Sequence, residues 1–336
     1  MAAKPKAKVD NAALKKGGFM AQKQKGKYAL RLRIVGGHLT AEQLMTVARV
    51  AEKYGHGYIH NTSRQSIEIP YIDVEDAEEV KAELAKGGVQ AGCCGARVRT
   101  VTACQGSATC PSGNIDTYKV AKELDERYFG RDLPGKFKFG CTGCQNNCLK
   151  AEENDLGIKG GRKVKWIPDA CIHCGICTKV CGFDAITDDG ETITVDYDKC
   201  ASCGKCAQKC PVDAWESKPV YNLFFGGLYG NHITRAQPLL PPVETDEQLI
   251  AVCDETIQWY DDHAVPGDRF KFCLDRNGWD ELAERVRRAY DEHAPKGGAT
   301  TSTAPVTPAP KPIPTPVLPE SPYQKKEDAA AAAKAE

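Results

Sequence analysis

The chain has 336 residues, enough for one large domain or two to three smaller ones with ample core. Its 45 lysines and arginines balance 45 aspartates and glutamates, so bulk charge argues for neither nucleic acid nor a membrane surface as partner. No apolar stretch approaches the length of a membrane span and the basic N-terminus lacks a secretory h-region, so a soluble, cytoplasmic protein is expected.

Residues 1–27, rich in Lys, Ala and Gly without an apolar period, read as a mobile arm. From Tyr28, apolar Leu30, Leu32 and Ile34 alternate with Arg31 and Arg33, the period of a half-buried strand. Gly36-Gly37 turns the chain. Thr40 with Gln43 makes a capping box for a helix that carries Leu44, Val47, Ala48 and Ala51 and ends at Gly55. A second strand is expected through Tyr58 to Ile72, then a helix from about Asp73 to Lys86, stopped by Gly87-Gly88. This order predicts helices on one face of a mostly antiparallel sheet, an α+β arrangement.

Val98 to Cys110 reads as strand into loop, Ser112 as the cap of a helix through Tyr128, and Lys136 to Phe139 as a short strand. Residues 166–216 are too few for a conventional core. Their halves, DACIHCGICTKVCGFDAI and DKCASCGKCAQKCPVDAW, repeat about 29 residues apart. Strand character resumes at Leu223 to Leu228, and helices are expected over Asp246 to Asp262 and Asp280 to His293. From Pro295 onward Pro, Ala, Thr and Lys dominate, the composition of a disordered tail.

Twelve of the 17 cysteines fall into three sets of four. Two sets are consecutive C-x2-C-x2-C-x3-C runs, Cys171, Cys174, Cys177, Cys181 and Cys200, Cys203, Cys206, Cys210, the second followed by Pro211. Such spacing crowds thiols around a point instead of pairing distant strands, so metal ligation is expected and disulfides are not. In two-cluster ferredoxins the fourth cysteine of each run ligates the other cluster. One [4Fe–4S] cluster would therefore take Cys171, Cys174, Cys177 and Cys210, the other Cys200, Cys203, Cys206 and Cys181. The third set is split: Cys104 and Cys110, then Cys144 and Cys148.

Around that split set, TACQGSATCPSG followed by CTGCQNNC resembles the signature of sulfite and nitrite reductases that carry sirohaem coupled to a [4Fe–4S] cluster. The blocks LRLRIVGG, NTSRQSIEIP, VRTVTAC and LPGKFKFG are similar to blocks of that family, and the resemblance spans about 28–165 and 217–290. The inserted ferredoxin run resembles the dissimilatory sulfite reductases, and most of all the C-subunit type of anaerobic sulfite reductase. The implied fold is α+β: one reductase repeat, made of a ferredoxin-like α/β sandwich module and a sirohaem- and cluster-binding module, with an inserted bacterial-type two-cluster ferredoxin domain. Its expected boundaries are an arm at 1–27, the ferredoxin-like half-domain at 28–90, the sirohaem and cluster domain at 91–165 and 217–293, the insert at 166–216 and a tail at 294–336.

By this resemblance Cys104, Cys110, Cys144 and Cys148 hold a cluster, and the Cys148 thiolate also bridges to the sirohaem iron. Arg31, Arg99, Lys136 and Lys138 match the family's substrate-side cations. A strongly hydrated oxyanion needs such fixed charge in place of its water. Arginine suits orientation of oxygens, and a lysine crowded by other cations suits proton donation. Thr62, Arg64 and Gln65, from the block Thr62-Ser63-Arg64-Gln65, and Asn146 match cofactor-side positions, and Arg33 and Arg97 are candidate carboxylate contacts. Cys141, Cys253 and Cys273 are read as buried small hydrophobes; Cys93-Cys94 is open between core and haem edge.

The implied activity is six-electron reduction of sulfite to sulfide, with electrons relayed through the two insert clusters to the sirohaem-coupled one. The alternatives are nitrite reduction to ammonia at the same centre, or a non-catalytic electron-transfer or structural subunit. No nucleotide or flavin fingerprint is evident, so electrons are expected from a ferredoxin or from partners such as a ferredoxin-like and a flavoprotein subunit. One repeat carrying both cations and cysteines implies a homodimer, or a heterodimer with a similar subunit.

Overall fold

The computed structural model describes residues 10–295; the expected tail from 296 onward and residues 1–9 lie outside them. The stretch expected to be a mobile arm begins with helix α1 (Asn11–Lys16), capped by the Asp10 carboxylate, and strand β1 (Phe19–Ala21). β1 pairs with β2 (Lys27–Arg33) from Phe19 opposite Leu30 to Ala21 opposite Tyr28, and Phe19 enters the core. The apolar signal of Phe19 is one residue long, too short to show as a period. Pairing with a longer strand supplies the order.

β2 alternates as read: Tyr28, Leu30 and Leu32 are buried, while Arg31 and Arg33 face the other way. α2 (Ala41–Tyr54) starts on the expected Thr40–Gln43 capping box. The expected long second strand is a hairpin instead, β3 (His60–Asn61) and β4 (Ile67–Asp73), with Gln65 in the left-handed region at its turn. α3 (Ala77–Lys86) and β5 (Gln90–Ala91) follow. The strand order is β1-β2-β4-β3 with β5 on β2, antiparallel throughout. Val47, Val50 and Ala51 of α2 and Val80 and Leu84 of α3 close one core over this sheet. Gly87 ends α3 where a Cβ would collide with Thr46 of α2, so the two helices meet only because that residue lacks a side chain.

The second sheet is mixed. It is built from β6 (Thr102–Ala103), β7 (Phe139–Thr142), β8 (Leu156–Trp166) and a later strand, β11 (Trp215–Phe225), in the order β11-β8-β7-β6. β6, β7 and β8 run parallel, and every residue of β7 is buried, as a central parallel strand requires. α4 (Thr117–Tyr128) links β6 to β7 and is capped by Asp116, not by Ser112. Lys136 and Lys138 lie on the irregular approach to β7; Phe137 between them makes a single bridge to Val98.

Between Trp166 and Trp215 the chain leaves the sheet for α5 (Ile176–Val180), the hairpin β9 (Ile186–Asp188) and β10 (Ile193–Val195), and α6 (Lys205–Gln208). β11 then returns antiparallel along all of β8, from Trp215 opposite Trp166 to Phe225 opposite Leu156. After short β12 (Leu228–Tyr229) and β13 (Ile233–Thr234), α7 (Asp246–His263), α8 (Phe270–Asn277) and α9 (Asp280–Glu292) pack with α4 around the main core. α8 has no clear signal in the sequence, because Arg269 and the lysine and aspartate within the helix interrupt its short apolar stripe. Among the described residues no helix is long and apolar enough to cross a membrane.

The two modules are tied together through Asp125 of α4. Its fully buried carboxylate accepts from Arg33 Nε at 2.7 Å and from the Val101 N–H at 2.9 Å, and Arg33 also lies 4.1 Å over the Phe129 ring. Asp125→Ala would strand Arg33 and the Val101 N–H together. It is expected to lower unfolding stability by about 3 kcal/mol, measured by anaerobic chemical denaturation, with Asp125→Asn losing less.

Candidate active site

The β3–β4 turn is closed by Thr62, whose N–H donates to Ser66 O at 2.8 Å and whose hydroxyl oxygen accepts from the Ser66 N–H at 3.1 Å. That turn projects Arg64 toward the second module, where it donates to Asn154 Oδ1 and to Thr100 O, each at 3.0 Å. Beside it opens a cleft of about 150 Å³ lined by Arg31, Thr62, Ser63, Arg64, Cys93 and Arg99, with Leu32, Ser66 and Thr100 behind. The Arg99 guanidinium is oriented by Cys93 O at 3.2 Å and Gly95 O at 3.1 Å, and its buried Nε has no protein partner. Arg31 is held by the Glu68 carboxylate, with Nε at 2.8 Å.

Lys136 and Lys138 belong to the same electrostatic field. Burial lowers the Lys136 pKa, and Arg269 and Arg99 lower it further. Burial together with Arg64 brings Lys138 down to about 8, although Asp155 pulls the other way. Burial also drops Arg64 to about 10, so its guanidinium stays charged at neutral pH. The anchor of this group is a residue that no sequence pattern singles out. Asp155, fully buried, accepts from Arg269 at 3.1 and 3.2 Å and from the Lys138 backbone N–H at 3.0 Å. Arg269, like Arg99, keeps a buried Nε without a partner. No motif marks Arg269, because the contact that gives it a role spans over a hundred residues of sequence.

Arg33 and Arg97 do not serve the cleft. Arg33 is committed to Asp125, and Arg97 forks onto Asp132 at 2.7 and 3.1 Å. Gln65 is also turned away: its amide clamps the backbone of Ala103, accepting at 2.9 Å and donating at 2.7 Å. It thereby steadies the residue before Cys104.

The split cysteines converge for a topological reason. β6 and β7 are parallel neighbours, Ala103 opposite Cys141, so their C-terminal ends deliver Cys104 and Cys144 side by side. The Gly143 N–H donates to Cys104 Sγ at 3.0 Å. Burial raises the Cys144 thiol, and Cys104, Cys110 and Cys148 each add to the rise, as four thiols around one point must. Cys148 is exposed, as is Asn146. Asn147 shapes the same loop: it sits in the left-handed region, accepts from the Ala151 N–H at 2.9 Å and donates to buried Glu152, the partner of buried Lys159. Cys141, Cys253 and Cys273 are fully buried in the main core.

In the segment after Trp166 the eight cysteines line two separate cavities. One is lined by Cys171, Cys174, Cys177 and Cys210, the other by Cys181, Cys200, Cys203 and Cys206. Each run thus gives its last cysteine to the other cavity. The repeat is visible in the backbone, with left-handed residues in corresponding places: His173 and Ser202, Gly175 and Gly204, Asp184 and Asp213. N–H groups reach sulfur in matching fashion, Ala185 to Cys181 at 3.4 Å and Ala214 to Cys210 at 3.2 Å. Among the described residues no three His, Cys, Asp or Glu side chains are close enough to hold a single metal ion. Thiolates on a four-iron cube bind different irons and stand farther apart, so the donor sets suit clusters.

Residues 94–294 match the family described as the nitrite and sulphite reductase 4Fe-4S domain, and residues 20–87 match the nitrite/sulfite reductase ferredoxin-like half domain. The chain belongs to this family. It is 31% identical over 274 residues to the coenzyme F420-dependent sulfite reductase of Methanocaldococcus jannaschii, covering 80% of this chain and 44% of that protein. To the C-subunit of the anaerobic sulfite reductase of Salmonella typhimurium it is 35% identical over 186 residues, covering 51% of this chain and 54% of that one. The chain therefore spans about half the length of these curated relatives. The crystal structure of dissimilatory sulfite reductase I shares the fold, with a TM-score of 0.64 at 20% identity over 78% of this chain and 69% of that one.

A pH effect follows for the cations near this cleft. Lys138 is protonated below about pH 8 and neutral above it. Oxyanion affinity is therefore expected to fall as pH rises through that value, followed by sulfate titration on either side of it. Lys138→Arg should keep the affinity high across the same range.

Proposed function

We propose that this chain reduces sulfite to sulfide, with sirohaem and a [4Fe–4S] cluster on Cys104, Cys110, Cys144 and Cys148, and with two ferredoxin-type clusters in an inserted domain at 166–216. The observation that carries the reading is a cationic cleft between the two modules of a chain that also brings four thiols together at the ends of β6 and β7, each backed by its own supports. The names of both curated relatives support sulfite as substrate. The orphaned Nε atoms of Arg99 and Arg269 fit an environment completed by an anion or by the carboxylates of a sirohaem.

When bound, the clusters supply electrons one at a time and the haem supplies the centre at which S–O bonds break. The residues of the chain do the rest. Arg31 and Arg99 orient the substrate oxygens, Arg31 being kept in place by Glu68 and Arg99 by two carbonyls. Lys138 is the better proton donor, since its depressed pKa lets it give up a proton near neutral pH. Lys136, in the field of Arg269 and Arg99, supplies a second positive charge, and the three oxygens leave as water after six electrons in all. Arg64, Thr62 and Asn146 would hold the cofactor's polar groups, and exposed Cys148 would supply its thiolate to the cluster and the haem. Electron-donating partners or a ferredoxin, and a second copy or a similar chain, complete the working enzyme.

Anaerobically purified protein is expected to contain three clusters, roughly 12 irons, and one sirohaem per chain; two clusters without haem would overturn the reading. With that cofactor content intact, Lys138→Ala should lower sulfite kcat by about 10²-fold or more, assayed with a chemical reductant. A kcat/KM favouring nitrite over sulfite would reassign the substrate.

A further inference from the structure

β8 is the wall between the split-cysteine loops and the inserted segment, and two adjacent glycines make it thin. Successive residues of a strand face opposite sides. A Cβ on Gly160 would press into the Gly143 carbonyl oxygen, next to Cys144, and into Ile115. A Cβ on Gly161 would lie 2.9 Å from Ser202 O, in the loop between Cys200 and Cys203. Paired close approaches of this kind are what glycine in a strand permits. The next residue completes the seam. The Arg162 N–H donates to Ser202 O at 2.7 Å, and its side chain lies against Gly204, where a Cβ would come 2.7 Å from Cδ.

One buried residue spans the same gap. Asn114, four residues past Cys110 and 4% exposed, donates its backbone N–H to Gly143 O at 2.7 Å. Its Nδ2 lies 3.5 Å from Cys203 O. Its Oδ1 faces Arg162 Nε at 3.3 Å and Gln208 Nε2 at 3.5 Å. A single residue thus touches the backbone beside one thiol set through its own N–H, and the backbone of a cysteine in another through its side chain. Among the described residues, Cys171, Cys174, Cys177 and Cys210 make no hydrogen bond to that loop. Their cavity instead carries the exposed Cys174, whereas no cysteine of the other cavity is exposed.

We propose that Asn114, Gly160 and Gly161 form the electron handover between the insert and the split set, and that this fixes the order of the relay. The site on Cys181, Cys200, Cys203 and Cys206 is the inner one, and the site on Cys171, Cys174, Cys177 and Cys210 is the outer one that receives electrons. The inference rests on the clusters of the proposed function. In the handover the inner site is oxidised by one electron and the split site reduced by one; an external one-electron donor restores the relay, and no bond forms or breaks. Asn114 and the glycines are positioning residues. They shorten the gap that the electron must cross, and transfer slows steeply as such a gap widens.

The test uses the anaerobic holoprotein with its iron and sirohaem content measured first. In Asn114→Ala and Gly161→Ala, magnetic coupling between the split site and the insert, read by electron paramagnetic resonance, should weaken. Sulfite turnover driven by reduced ferredoxin should fall about tenfold or more, equivalent to a barrier raised by about 1.4 kcal/mol. Turnover driven by a small viologen that reaches the haem directly should stay close to the parent value. Cys203→Ser should abolish the coupling and Cys174→Ser should leave it intact. Unchanged coupling and ferredoxin-driven turnover in both Asn114→Ala and Gly161→Ala, with all clusters retained, would overturn the proposal. The reverse pattern in the two cysteine variants would overturn the order. A parent protein holding only the split-set cluster would instead overturn the proposed function, and the iron count separates that case from the others.

Discussion

Parallel pairing of β6 with β7 is the constraint from which the site follows. Cys104 and Cys144 lie far apart along the chain, and an antiparallel pairing would place the ends of their strands at opposite edges of the sheet. Because the strands run the same way, both cysteines emerge at one edge, and Cys110 and Cys148 follow on short loops from the same place. Burial of all four β7 residues holds the pair against β8, and Gln65 fastens Ala103 from the other module. A four-thiol site at the end of a buried parallel pair is rigid where it begins and adaptable where it ends, since Cys148 is exposed.

The approaches to the opposite, N-terminal ends of these strands concentrate positive charge, and the protein carries that load with few counter-charges. Asp155 answers for Arg269 and reaches the Lys138 backbone, and Glu68 answers for Arg31. Arg99 is held by carbonyl oxygens alone, so its full charge faces the cleft. A cleft with every cation paired would bind an oxyanion weakly, whereas one with none paired would cost folding stability through mutual repulsion and desolvation. The depressed pKa of Lys138 records the balance: the lysine is charged near neutral pH but close to surrendering its proton.

β8 joins these parts. At one end it flanks β7 below the thiols, and along its full length it pairs with β11, so the segment between Trp166 and Trp215 is mounted on the most extensive strand pairing of the sheet. That segment has little apolar core, essentially Ile186, Ile193 and Trp215 with the inward cysteines, packed on Val164 of β8. A segment with so small a core needs internal staples, and the two proposed clusters would provide them.

Much of this was legible in the sequence. Alternation in β2, the Thr40–Gln43 box and the spacing of the tandem cysteines are local patterns, and each has its cause within a few residues. The exchange of the fourth cysteines, expected from two-cluster ferredoxins, matches the way the two cavities divide the eight residues. Order in Phe19–Ala21, the hairpin turn at Gln65, the Asp116 cap and helix α8 escape a sequence-based expectation because their local signals are short or ambiguous. Arg33 and Arg97, candidates through their nearness to Arg31 and Arg99, and Gln65, from a family-like block, are engaged elsewhere, with Asp125, Asp132 and Ala103. Arg269, Asp155 and Asn114 were invisible because their roles arise from contacts between segments remote in sequence. Residue type and spacing, acting over one turn or one loop, determined which thiols and cations this protein has to work with. Only the tertiary structure decided which of those charges face an open cleft, because charge pairing and burial depend on neighbours that the chain brings together by folding.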